Sequence, residues 1–384
     1  MGAEFYQEYD FVREIFDMAE ETVKMHISNL CFKGPMEDLT QTVNLQPAVT
    51  TVNLACLAVL NKESVAYDFC AGHSLGEYSA LNAADVVSAE DTIKVVYHRG
   101  TLMHRESLKN KGAMHAIVGL PIGEVAALVA EIQPQGIVSV ANHNSELQIV
   151  ITGSPESVEQ VSALAGQKGA KALPLKVSGA WHSELIRGAE EEFNTLLSEI
   201  NFHPPGKTLV LNVTGKMATD ADEIKKGMQQ QLCSPVKWFD AVSTLIQEGM
   251  DTFVEVGPGL LDGVDRTAGP HQVVESCIDE GHCDLRGHLG GDPRPGSEFV
   301  AGQAEADDPD GVALHYLLYR GPDGLQIDPG SGAVTWTPTA DDAAENDVVL
   351  FVFDSRGARG VQEFAIDLTG GNHAPVFDPL PSSI

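Results

Sequence analysis

At 384 residues the chain has room for two or three domains and a large buried core. Its 55 acidic against 24 basic residues give a formal net charge of −31, which argues against nucleic acid or an anionic membrane as a partner. The six cysteines (Cys31, Cys56, Cys70, Cys233, Cys277, Cys283) are scattered, as free thiols in a reducing compartment would be, and form no disulfide framework. No apolar run stands out at membrane-spanning length. The first twenty residues are acidic and amphipathic, without the basic and apolar regions of a signal peptide. A cytoplasmic, monomeric protein without a membrane partner is expected.

Phe5, Tyr9, Val12 and Phe16 recur at helical spacing, so the chain opens in an amphipathic helix. A second helical pattern runs from about Pro47 to Leu60. A short apolar stretch, Phe69 to Ala71, then leads into Gly72-His73-Ser74-Leu75-Gly76, with helices expected from Leu75 and over Thr92 to Met103. This alternation fits a parallel sheet flanked by helices. Between residues 112 and 178 the order becomes strand, helix, strand, strand, helix, strand. That is the ferredoxin-like βαββαβ unit, read as a subdomain inserted into the α/β core. The core resumes over 179–266 with a helix (Gly188 to Glu199), a strand (Thr208 to Val213), a helix (Trp238 to Gln247) and a strand ending in Gly257-Pro258-Gly259.

Beyond this point the composition changes. Residues 1–268 hold 35 acidic and 19 basic side chains, residues 269–384 hold 20 and 5, and Lys237 is the last lysine. Residues 267–298 are rich in Gly, Pro and acid and read as a disordered linker. Short β-rich runs between Asp/Gly/Pro turns over 299–379 predict a small β-sandwich. The run Cys277-Ile278-Asp279-Glu280-Gly281-His282-Cys283 with His288 fits no zinc spacing, and no metal is expected.

The glycine-flanked serine has the form of a nucleophile elbow, a tight strand-to-helix turn that holds Ser74 Oγ in the open. The Leu75 N–H, at the start of the following helix, is placed to stabilise an oxyanion. A bare G-x-S-x-G also occurs as a turn whose serine merely caps a helix. Ser74 needs a base, and His182, in the loop after the inserted unit, is the best candidate. Arg99 could grip a substrate carboxylate with two parallel hydrogen bonds, although arginines on helices more commonly face solvent.

Residues 1 to about 266 resemble the malonyl-CoA:acyl carrier protein transacylases of fatty acid synthesis and the acyltransferase domains of polyketide synthases. The resemblance is carried by Gly72 to Ala80, Arg99-Gly100, Gln46-Pro47-Ala48, Asn142-His143-Asn144-Ser145, Gly179-Ala180-Trp181-His182-Ser183, Gln231 to Trp238 and Val254 to Gly259, in that family's spacing. It implies an α/β hydrolase-like core carrying a ferredoxin-like insert. It also implies Ser74 as nucleophile, His182 as base, Leu75 as an oxyanion donor, Arg99 on the malonyl carboxylate and Gln231 holding the histidine loop, with His73 and Asn144 in the substrate-binding set. The implied cycle is ping-pong, from malonyl-CoA to the phosphopantetheine thiol of acyl carrier protein, with no cofactor or metal. Trp181 stands where the family usually has Phe. Residues 301–379 are similar to Ig-like or cadherin-like repeats of bacterial surface proteins, in which acidic loops can hold calcium; Asp308, Asp310 and Asp354 are the residues in question. Two rival readings follow, a serine hydrolase or thioesterase on the elbow and an adhesion protein on the C-terminal repeat.

The family opens with a strand and a Gly-Gln-Gly-Ser-Gln loop that supplies a second oxyanion donor, and Met1-Gly2 falls where that loop has already ended. Loss of one such donor costs about 10²–10³ in rate. Weak or absent turnover is therefore expected of the 384-residue chain, and steady-state assay of the purified protein checks this, ordinary turnover refuting it.

Overall fold

In the computed structural model the described residues are 1–250, 252–258, 272–275, 284–288, 299–307, 314–322, 324–328, 330–337, 345–354 and 359–367. Two units are formed, Met1–Ile278 and Asp279–Ile384. The opening amphipathic pattern becomes two helices, α1 (Ala3–Glu8) and α2 (Asp10–Val23), separated by Tyr9 in extended conformation. On α2, Val12, Phe16, Ala19 and Val23 form one buried stripe. Two short helices that the sequence pattern left unmarked follow, α3 (Ile27–Lys33) and α4 (Met36–Leu39). They have too few turns to show a period.

Helix α5 (Thr42–Lys62) is longer than its pattern suggested. By length and composition alone it is long and apolar enough to cross a membrane, against the expectation that no apolar run stands out at that length. The apolar run was hard to see because Gln46, Pro47, Thr50, Thr51 and Asn53 interrupt it. In the fold these five side chains are buried, and α5 packs against α2.

After the two-residue strand β1 (Phe69–Cys70) come α6 (Gly76–Ala83) and α7 (Ala89–Lys109). Ser88 caps α7 by accepting the Asp91 N–H at 3.1 Å, and α7 also lies along α5. The inserted subdomain follows as β2 (Ala113–Val118), α8 (Ile122–Ile132), β3 (Val138–Ser145), β4 (Gln148–Gly153), α9 (Pro155–Gln167) and β5 (Lys171–Pro174). Its sheet has the order β3-β4-β2-β5 with every pair antiparallel, the order a βαββαβ unit requires. Ile117, Val125, Ile149, Ile151, Val158 and Val161 are fully buried between this sheet and its two helices.

A 3₁₀ turn (Glu184–Ala189) leads into α10 (Glu190–Glu199), then β6 (Thr208–Leu211), β7 (Lys216–Ala218), α11 (Ala221–Gln231), α12 (Trp238–Gln247) and β8 (Thr252–Glu255). β1 pairs parallel with β6, but β7 returns antiparallel beside it, so the expected all-parallel core sheet carries an antiparallel edge. Neither β7 nor α11 was foreseen: β7 is three residues long, too short to show a period, and α11 is rich in Lys and Gln and buries only Ile224, Met228 and Gln231.

The span read as a linker is partly structured. β9 (Gln272–Glu275) pairs parallel with β8, and β10 (Asp284–His288) pairs antiparallel with β11 (Phe299–Asp307). Pairings of four and five residues, set by partners elsewhere in the chain, leave no local period, so composition alone misled. In the C-terminal unit one sheet has the order β10-β11-β14-β13, with β13 (Gln326–Ile327) and β14 (Ala333–Trp336). The other has the order β12-β15-β16, with β12 (Leu314–Arg320), β15 (Glu345–Asp354) and β16 (Arg359–Asp367). This unit therefore starts before residue 299. Gly259, Arg266, residues 277–283, Asp308, Asp310 and residues 372–377 lie outside the described residues, as do the side chains of His288 and Asp354.

Phe16 is fully buried, with its ring 5.3 Å from both Tyr6 and Phe32. Phe16→Ala is expected to lower stability by ~3–5 kcal/mol through lost burial and an unfilled cavity, read as a shift of the urea unfolding curve.

Candidate active site

The elbow sits at the C-terminal end of β1, where the chain turns into α6. Ser74 has φ +47°, a left-handed conformation that a side chain adopts only under constraint. Three hydrogen bonds hold it there. Asn212, just past β6, accepts the Ser74 N–H through Oδ1 at 2.7 Å and donates from Nδ2 to Gly72 O at 2.7 Å. Gln231, the last residue of α11, donates from Nε2 to Ser74 O at 2.6 Å. The two motif glycines are unequal. A Cβ on Gly72 would lie 2.1 Å from the Gly76 carbonyl carbon, whereas a Cβ on Gly76 would meet nothing within 4 Å.

His182 also has a left-handed backbone, φ +57°, and is 3% exposed. Its Nε2 lies 2.7 Å from Ser74 Oγ, and its Nδ1 lies 3.1 Å from Gln231 O. A carbonyl can only accept, so Nδ1 carries the proton and Nε2 presents its lone pair to the serine hydroxyl. Burial, followed by the charge of Arg99, pushes the His182 pKa down to about 3, so the ring is neutral at neutral pH. The orienting group is thus a main-chain carbonyl where the acid-dependent hydrolases use a carboxylate.

Arg99 is carried in by α7 and is 2% exposed. Its Nη1 donates to Gln46 Oε1 at 3.0 Å, and its Nη2 lies 3.2 Å from Ser74 Oγ and 3.3 Å from Gln231 Oε1. Its Nε is buried without a hydrogen-bond partner among the described residues. No carboxylate forms an ion pair with this guanidinium among the described residues, and its centre lies 5.4 Å from the Tyr78 ring. A buried cation in that condition is stabilised by an incoming anion. The Leu75 N–H, the first amide after the nucleophile, makes no hydrogen bond to a described residue.

His73 and Asn144 meet each other rather than Arg99. His73 Nε2 is 2.9 Å from Asn144 Oδ1, and the ring packs edge-on against Trp238 at 5.6 Å. Burial lowers the His73 pKa. Asn144 lies on β3, whose ladder is irregular between His143 and Ser145, so the inserted subdomain closes against the elbow there. All seven residues expected at the site are thus within this one region, although Asn144 reaches it only through His73.

Four further residues were not singled out from sequence. Gln46 holds Arg99, and Tyr78 Oη donates to Gln231 Oε1 at 3.2 Å. Glu77, 1% exposed, accepts the Asn212 N–H at 2.8 Å and the Gln231 Nε2–H at 3.0 Å. Burial raises the Glu77 pKa to about 7. Gln46, Glu77 and Tyr78 lay inside recognised blocks. For Asn212 the only available signal was its position just beyond a strand, the end at which α/β sheets form their sites.

A serine paired to a neutral imidazole, beside a guanidinium with no ion-pair partner among the described residues, is equipped to take up and pass on an anionic acyl group. The family model described as acyl transferase domain matches residues 1–277, nearly the whole of the first structural unit. The chain belongs to the acyl transferase domain family. The malonyl CoA-acyl carrier protein transacylase of Bacillus subtilis (strain 168) is 39% identical over 261 residues, covering 67% of this chain and 82% of that protein. Among solved structures, an acyl carrier protein S-malonyltransferase from Vibrio cholerae superposes with a TM-score of 0.65 at 36% identity, covering 67% of this chain and 85% of that one. A malonyl-transacylase in complex with its type II PKS acyl-carrier protein superposes with a TM-score of 0.66 at 33% identity, covering 68% and 85%.

The unequal glycines of this acyl transferase domain yield a direct test. Gly72→Ala is expected to abolish covalent labelling of Ser74 by a fluorophosphonate probe, because the elbow cannot close around a Cβ. Gly76→Ala is expected to keep it; equal loss in both variants would contradict this geometry.

Proposed function

We propose that the acyl transferase domain moves a malonyl group from malonyl-CoA to the phosphopantetheine thiol of acyl carrier protein through a malonyl-Ser74 ester, in fatty acid or polyketide synthesis. The observation that carries this reading is Arg99: a buried guanidinium with no carboxylate partner among the described residues, 3.2 Å from the nucleophilic oxygen. It fits an acyl group that ends in its own carboxylate, which two parallel N–H···O bonds would hold.

In the first half-reaction Ser74 Oγ attacks the thioester carbonyl while its proton passes to His182 Nε2. The Nδ1–H bond to Gln231 O stabilises the imidazolium that forms, and the Leu75 N–H faces the developing oxyanion. The carbon–sulfur bond then breaks, and coenzyme A leaves as a thiol with the proton from His182. In the second half-reaction the carrier's thiol gives its proton to His182 and attacks the ester, and Ser74 Oγ leaves and recovers that proton. His73 and Asn144 form the wall of the acyl site on the side of the inserted subdomain. The described residues within 1–111 and 179–266 belong to the discontinuous core of this reading, with 112–178 as the insert.

We read the C-terminal unit as an Ig-like or cadherin-like sandwich. Its two antiparallel sheets, with β12 next to β13 and β10 next to β16, support this.

The proposed reaction is tested by intact mass after brief incubation with malonyl-CoA. A malonyl adduct is expected on the parent chain and none on Ser74→Ala. Arg99→Ala is expected to slow malonylation by roughly 10²-fold, the loss of a charge-assisted bidentate contact, while leaving acetylation from acetyl-CoA far less affected. Equal loss toward both donors would rule out Arg99 as the carboxylate clamp.

A further inference from the structure

The hydrogen bonds around Ser74 converge on a carboxylate that the reaction steps do not use. Glu77 lies in the first turn of α6, 1% exposed, and makes no hydrogen bond or ion pair to Arg99, Ser74 Oγ or His182. Both groups that face it are donors. One of its oxygens accepts the main-chain N–H of Asn212 at the end of β6, and the other accepts Nε2 of Gln231 at the end of α11. Each partner then acts on the reacting pair. Asn212 bridges the two peptide groups on either side of His73, taking the Ser74 N–H and giving to Gly72 O, both at 2.7 Å. Gln231 gives to Ser74 O through its side chain and receives the His182 Nδ1–H through its main chain.

We propose that Glu77 and Asn212 are positioning residues: the buried carboxylate ties the ends of β6 and α11 to the elbow, and so holds Ser74 Oγ and His182 Nε2 at 2.7 Å. This rests on the reading of those two residues as nucleophile and base. The chemistry at position 77 is specific. A residue there must accept at both terminal atoms, because one faces an N–H and the other an NH₂. Glutamine has nearly the same volume but turns an NH₂ toward one of these donors, leaving an unmatched buried pair. Aspartate is one methylene short of reaching both ends. Position 212 needs an acceptor and a donor on one short side chain, which asparagine supplies and aspartate does not.

The reacting pair is set by this frame rather than by substrate, so the test reads nucleophile alignment with and without the acyl donor. Ser74 labelling by a fluorophosphonate is timed in the parent, Glu77→Gln and Asn212→Ala chains, with the folded fraction of each taken from near-ultraviolet circular dichroism. Labelling per folded molecule is expected to fall by roughly 10- to 100-fold in both variants, the scale set by sub-ångström to 1 Å misplacement of reacting groups. With malonyl-CoA and carrier protein, kcat is expected to fall in the same proportion while KM for malonyl-CoA stays within roughly threefold. Glu77 makes no hydrogen bond to Arg99 and is linked to it only through their shared partner Gln231, while Gln46 still holds the guanidinium.

Parental labelling rates in the folded fraction of either variant would overturn the proposal, as would a defect confined to KM. A parent chain that does not label at all also overturns it, since no aligned nucleophile then exists to be held. A parent chain that labels but takes no malonyl group defeats the substrate reading alone, and the fluorophosphonate rates still decide the role of Glu77.

Discussion

Everything in the acyl site hangs on the left-handed backbone of Ser74. A non-glycine residue at φ +47° costs about 1–3 kcal/mol and persists only where its surroundings over-determine it. Here they do, because both peptide groups of Ser74 are hydrogen-bonded to side chains from elements far away in sequence. The strain is held by tertiary structure, and in return the Oγ is turned toward His182 and Arg99 without help from the local chain. His182 repeats the pattern at φ +57°, with its ring fixed between Ser74 Oγ and a main-chain carbonyl.

The electrostatics follow from burial. Dehydration holds His182 neutral and so ready to accept a proton, and the neighbouring positive charge of Arg99 acts in the same direction. The same dehydration pushes the Glu77 carboxyl upward, partly offset by its two donors and by Arg99. The linkage signs are opposite. His182, with a depressed folded pKa, makes stability rise with pH between about 3 and its ordinary value of 6.5. Glu77, with a raised one, makes stability fall with pH between 4.5 and about 7. Over their shared range the two slopes work against each other.

The inserted subdomain has its own fully buried core, yet it contributes to the site through β3, where Asn144 reaches His73 and Asn142 bridges to Val236. A second unit follows residue 278, built from two antiparallel sheets and lying beyond the span matched by the acyl transferase family. The break in composition near residue 268 falls close to that boundary, but the strands at 272–275 and 284–288 show that low hydrophobic periodicity is not absence of structure.

The sequence by itself determined the elbow and the order of the inserted subdomain, while α3, α4, β7 and α11 went unread. Gly72, Ser74 and the helix after them are contiguous, and local sterics are enough to read an elbow from them. The βαββαβ rhythm was equally legible, since each strand and helix shows its own period. Contacts between residues remote in sequence were not legible. That Gln231 orients His182 through its main-chain carbonyl leaves no trace in side-chain identity, and Asn212 and Glu77 meet across 135 positions. Whether Arg99 faced solvent or the nucleophile depended on the packing of α7 against α5, which buries the guanidinium and brings Gln46 to it. A sequence records which groups are available. Their distances and desolvation, and hence their protonation, are set only when distant segments close on one another.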